Sequence, residues 1–156
     1  MELTYCYLIR FGISGFPTIK FFPGSSAEAE AYEGPREVEA FVEFINGKVG
    51  TQRQADGSLL PTAGRVEALD ALIVGAGYEV TAALVASLQE AAATVGAEAQ
   101  AYVSAAEKVL AKGGATYVNK ELARLEGLIA GKSIVPEKKA AFQLRRNVLA
   151  AFRAEA

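Results

Sequence analysis

The sequence predicts an α+β fold: a β-hairpin covered by one helix, followed by an all-α five-helix bundle domain. Three observations carry this. Phenylalanine and Gly-Pro pairs crowd residues 1–45 while alanine dominates from Arg65 onward, so two modules of different composition adjoin. Short β-prone runs in the first module are bounded by turn residues. The second module places apolar residues every three or four positions between glycine stops. With 156 residues, 51% of them apolar, and a mean hydropathy of +0.19, the chain can bury a core without metal or disulfide staples.

In the first module, Thr18-Ile-Lys-Phe-Phe22 reads as a strand, Pro23-Gly24 as a turn, and Ala31-Tyr-Glu33 as a second strand stopped by Gly34-Pro35. Val38, Phe41, Val42 and Ile45 then fall at i, i+3, i+4 and i+7, an apolar stripe on a helix with its stop at Gly47. Residues 50–64 open with Gly50-Thr-Gln-Arg-Gln-Ala-Asp-Gly-Ser58, a polar, glycine-bearing run expected of a linker.

The helical domain is expected over 65–156. Its first helix, about 65–74, carries Val66, Leu69 and Ile73, and a second, about 79–95, stacks Leu84, Leu88, Ala91 and Val95. A third, about 97–112, carries Tyr102, Val103, Ala106, Val109 and Leu110 before Gly113-Gly114 breaks it. Val118, Leu122, Leu125 and Ile129 align on a fourth, ended by Gly131. In the fifth, Pro136 suits the first turn, and Ala141, Leu144, Val148 and Phe152 form the expected buried stripe.

Composition excludes several chemistries. The absence of histidine removes the commonest general base and every Ser-His or Cys-His relay. One cysteine, Cys6, supplies neither a CxxC pair nor a thiolate zinc site, and it reads as a small buried hydrophobe. Two aspartates, Asp56 and Asp70, are too few for a clustered cation site, so no metal is expected. The glycines fit no phosphate-loop spacing, and no cofactor is expected. A formal charge of −2 argues against non-specific nucleic-acid binding. No apolar run has membrane-span length, Glu2 stands where a signal peptide needs a cation, and the tail at Arg153-Ala-Glu-Ala156 is not of the KDEL type.

The run Arg10-Phe-Gly-Ile-Ser-Gly-Phe-Pro-Thr-Ile-Lys-Phe-Phe-Pro23, with Tyr32-Glu-Gly34 and Phe41-Val-Glu-Phe-Ile-Asn46, resembles the second half of a thioredoxin domain of the protein disulfide isomerase family. Downstream, Ala106-Glu-Lys-Val-Leu-Ala-Lys-Gly113, Lys120-Glu-Leu-Ala-Arg-Leu125 and Arg146-Asn-Val-Leu149 resemble the helical C-terminal domain of endoplasmic reticulum protein 29, which also ends D-type disulfide isomerases. The resemblance implies a partial thioredoxin domain at 1–49 lacking the CxxC half, a linker at 50–64 and a helical domain at 65–156. Too few residues precede Pro17 for the crossovers of the missing half. Two readings of this stand: a truncated gene model or alternative start, and a genuine short product in which residues 1–9 supply a third strand.

By the same resemblance, Gly15, Phe16, Pro17 and Thr18 form the cis-proline loop that binds substrate, with the backbone of Phe16 turned toward an extended client. X–Pro bonds in folded proteins are cis in only about 5–6% of cases, so this expectation rests on the resemblance alone. The implied parent is an endoplasmic reticulum enzyme that exchanges disulfides and folds secretory clients. With no CxxC, no catalytic residue is expected here and no activity of this chain alone, leaving a non-catalytic client-binding or self-association module as the alternative. Self-association is expected through an unpaired strand edge within 1–45. Charge is uneven: 65–102 holds one base and five acids, 103–153 ten bases and four acids. Lys139, Arg146 and Arg153 recur every seven residues, a basic patch for acidic or unfolded clients or a solvated face.

Overall fold

A computed structural model of the chain describes residues 8–24, 28–96, 98–131 and 133–154. Cys6 and nearly all of the proposed third strand at 1–9 lie outside the described residues. The chain divides into two compact units, Met1–Thr51 and Gln52–Ala156.

In the first unit a helical turn at 8–10 is closed by hydrogen bonds from Gly12 N to Ile9 O (3.1 Å) and from Ile13 N to Leu8 O (2.8 Å). β1 (Ile19–Phe21) and β2 (Glu30–Tyr32) pair antiparallel, with Ile19 opposite Tyr32 and Phe21 opposite Glu30. Among the described residues β1 has no other strand partner. α1 (Val38–Val49) packs on this hairpin through aromatic rings. Phe44 meets Tyr32 at 4.9 Å and Phe21 at 5.7 Å between centroids, and Phe41 meets Tyr32 at 4.7 Å. The expected stripe is therefore rotated: Val38 and Ile45 are exposed, and Phe44 takes the contact because its ring reaches both strands. The helix also passes Gly47 and stops at Gly50, whose φ of 67° supplies the left-handed turn of a helix end.

The second unit holds α2 (Glu67–Gly75), α3 (Ala82–Val95), α4 (Ala99–Lys112), α5 (Ala115–Ile129) and α6 (Pro136–Ala150). These are the five helices the apolar periodicity predicts. Leu69 and Ile73 of α2, Leu88 of α3, Tyr102 and Val109 of α4 and Leu125 of α5 are almost fully enclosed, with Phe152 beyond α6 closing the same core. α3 starts later than the pattern suggests because Thr81 caps it: its Oγ1 accepts from Leu84 N at 3.2 Å, a bond worth about 1 kcal/mol. Val95 and Leu110, placed on the expected stripes, are exposed near the ends of their helices.

The largest departure lies on α6. Ala141 and Leu144 are exposed, and the buried positions are Gln143, Asn147, Val148 and Leu149. The two buried amides hold residues 59–63. Leu59 N donates to Gln143 Oε1 (3.3 Å), and Asn147 Nδ2 donates to Leu60 O (2.8 Å) and Ala63 O (3.0 Å). This segment is a small β-turn structure of its own, with a bridge between Arg53 and Leu59 and bonds from Gln54 N to Ser58 O and from Leu60 N to Gln52 O. Asp56 caps its tip by accepting from Ser58 N (2.8 Å) and Oγ (2.5 Å), which holds the Asp56 carboxyl below its usual range. The span expected as a linker is thus shortened, since residues 52–64 belong to the helical unit. Irregular backbone needs donors and acceptors wherever it is buried, and polar side chains on α6 supply them.

Candidate functional site

The loop 15–18 leads directly into β1. Thr18 Oγ1 donates to Gly15 O at 2.6 Å and closes the loop on itself. Arg36, just before α1, donates from Nη2 to Pro17 O at 3.3 Å. The Phe16–Pro17 peptide bond is cis. Phe16 is 80% exposed, the most exposed of the large apolar side chains among the described residues. On either side of the loop, Phe11 and Phe22 meet edge to face at 5.2 Å, and the Arg10 guanidinium lies 5.4 Å from the Phe11 ring. Both ends of the loop are tied down while its centre presents a phenyl ring to solvent.

Sequence reasoning names Gly15, Phe16, Pro17 and Thr18 but misses Arg36. A lone arginine after Gly34-Pro35 reads as a solvated charge, and its carbonyl partner lies 19 positions away. No local signal reveals that pairing.

The three bases named on the last helix are not equivalent. Arg146 is committed to its neighbour: Nε and Nη2 donate to Asn147 Oδ1 at 3.2 and 2.8 Å. Lys139 lies close enough to Asp56 to help hold that carboxylate ionised. Arg153 lies beyond the end of α6, in a recess it shares with Tyr78 and Glu79. Seven-residue spacing places Lys139 and Arg146 along α6, where Arg146 is bonded to Asn147 while Lys139 acts on Asp56 through charge alone.

Two further polar clusters sit inside the helical unit. Tyr102 OH donates to Asp70 Oδ1 (2.6 Å) and accepts from Val66 N (3.0 Å), while Arg65 Nε binds Asp70 Oδ2 (2.9 Å). Burial, with the Asp70 bond second, pushes the Tyr102 phenol up to about 12. On α5, Glu121 is nearly enclosed and accepts from Arg124 (2.7 Å) and Arg145 (2.9 Å). The Arg124 hydrogen bond first, then the charges of Arg124 and Arg145, hold the Glu121 carboxyl below its usual range.

A carboxyl lowered in the folded state stabilises fully above its unfolded pKa and loses that contribution as pH falls through the folded value. Glu121→Gln is therefore expected to cost about 1 kcal/mol at pH 7, modest because both arginines are half exposed. The cost should shrink as the pH drops below about 4.5. Thermal melts of both proteins between pH 3 and 7 check this, with convergence at the acid end as the expected result.

Matches to known proteins extend over residues of both units. Residues 64–152 match the family described as endoplasmic reticulum protein ERp29, C-terminal domain. Protein disulfide isomerase-like 2-2 of Oryza sativa subsp. japonica is 39% identical over 150 residues, which is 92% of this chain and 40% of that protein. Protein disulfide-isomerase tigA of Aspergillus niger is 42% identical over 142 residues, 90% of this chain and 38% of the relative. The probable protein disulfide-isomerase A6 of Medicago sativa is 39% identical over 150 residues, 92% of this chain and 41% of the relative. The chain thus spans about 40% of the length of these curated relatives. With its family match covering the five helices and their lead-in, and disulfide isomerases aligned over most of its length, the chain belongs to the ERp29 C-terminal domain family.

Proposed function

We propose that this chain is part of an endoplasmic reticulum protein disulfide isomerase, in which the first unit is the second half of a thioredoxin domain and supplies the client-facing wall opposite a dithiol. The observation that carries the reading is the exposed Phe16 ring on a loop pinned by Thr18 and Arg36. The names of the relatives supply the chemistry. An extended client segment lies against the loop, pairing with backbone groups of Phe16 while an apolar client side chain covers its ring. In the exchange reaction a thiolate attacks one sulfur of a client disulfide, forms a mixed disulfide and expels the other client sulfur as thiolate; a second thiol then resolves the mixed disulfide. The sequence holds one cysteine, so the part of this cycle that its residues perform is holding the client. The same kinship supports residence in the reticulum lumen. Among the described residues no helix is long and apolar enough to cross a membrane.

Reduced and alkylated ribonuclease, an unfolded chain without free thiols, is the probe. Burying an aromatic ring contributes about 1.5–3 kcal/mol, so Phe16→Ala should weaken binding roughly tenfold or more. The thermal melt of the helical unit should not change. Equal affinity of the two proteins for the unfolded probe would remove the loop from the function.

A further inference from the structure

We propose that the groove between α4 and α6 docks an amphipathic helical segment of a partner protein, one that carries a cation at one end and a carboxylate at the other. The site lies wholly within the helical unit and is separate from the Phe16 loop.

The groove encloses about 520 Å³. Its α4 side is built from small residues, Ala101, Ser104 and Ala105, and its α6 side from Ala141, Leu144 and Val148. These α6 residues are the apolar stripe that the sequence marks for burial. The bundle covers Val148 and leaves Ala141 and Leu144 open, with Leu144 40% exposed. A stripe of helical period that its own fold does not cover is suited to another helix. Small residues on the facing wall allow that helix to approach at ordinary interaxial distance. An extended segment fits less well, because both walls are helices whose backbone groups are spent internally, so a strand would leave its own N–H and C=O groups unpaired.

The ends of the groove have opposite charge. Glu98 lines one end and Lys108 the other. Ten residues of helix separate them, about 15 Å at 1.5 Å per residue, so an occupant of roughly three turns spans both. Neither side chain has an ion-pair partner among the described residues. Arg145, which also lines the groove, is already held by Glu121. Lys108 is therefore the cation free to select a carboxylate, and Glu98 the anion free to select a base.

The test uses three labelled twelve-residue helical peptides with the same Leu/Ala stripe: one with Lys at one end and Glu at the other, one with Glu at both ends, and one with Lys at both. With the full chain at low salt, the mixed peptide should bind about 2–5-fold tighter than either uniform peptide, the range of an exposed charge pair. Lys108→Glu should move the preference to the Lys-ended peptide, and Glu98→Lys to the Glu-ended one. Ala101→Trp, filling the groove from an exposed position, should abolish binding of all three. Should that variant not fold, Leu144→Asp, also exposed, serves the same purpose, with circular dichroism melts showing which variants are folded. Equal affinity for the three peptides, an order unchanged by the charge reversals, or no saturable binding would overturn the proposal. So would a dimer in sedimentation equilibrium that Leu144→Asp dissociates, which would make a second copy the occupant.

Discussion

Asn147→Leu should destabilise the helical unit by about 3 kcal/mol, the sum of two buried carbonyls left without donors at roughly 1–3 kcal/mol each, partly relaxed. Asn147 is 2% exposed and donates to the carbonyls of Leu60 and Ala63, and its oxygen accepts twice from Arg146. Leucine matches the volume and none of the chemistry. At about 4–8 °C per kcal/mol for a unit of this size, the thermal midpoint should fall by more than 10 °C. Amide exchange gives a finer check, since Leu60 N–H, bonded to Gln52 O, should lose protection before the core of α4 does. Gln143→Leu, which removes one longer bond to Leu59 N, should cost about a third as much. Equal protection of residues 59–63 in Asn147→Leu and the parent would show that the segment is held by something else.

Tyr102→Phe should cost about 2 kcal/mol while keeping the ring packed, because it removes a buried hydroxyl that serves two partners at once. The lost bonds are the donation to Asp70 and the acceptance from Val66 N at the start of α2. The pH dependence separates this from simple loosening of the core. A tyrosine raised in the folded state contributes fully below its unfolded pKa, near 10, and loses the contribution as pH rises toward its folded value of about 12. The parent should therefore lose stability between pH 10 and 12 more steeply than the variant. Parallel alkaline limbs in denaturant titrations of the two proteins would contradict the role of the hydroxyl.

These two residues also mark where the sequence was legible. Helix number and order could be read because Leu69, Leu88, Val109 and Leu125 sit at helical spacing between glycine stops and are buried as the periodicity requires. Asn147 and Gln143 could not be read, because an amide on a helix scores as solvent-facing unless its backbone partner, more than 80 positions away, is known. The same blindness made 52–64 look like a tether: its anchors are carbonyls and amides, which leave no apolar pattern. In the first unit, composition and turn residues located the hairpin. The choice of Phe44 over Ile45 as the packing residue depended on ring reach across two strands. The cis bond in the loop 15–18 was anticipated through family resemblance alone, and the bond from Arg36 to Pro17 O not at all.

The client-facing role of that loop is the central claim, and the most direct measurement is a map of backbone amide shifts in the labelled full chain as reduced, alkylated ribonuclease is added. The expected result is saturable perturbation at Gly15, Phe16 and Thr18, extending to Arg36, that disappears in Phe16→Ala. Saturable shifts confined to the helical unit, with the 15–18 loop unmoved, would contradict the account.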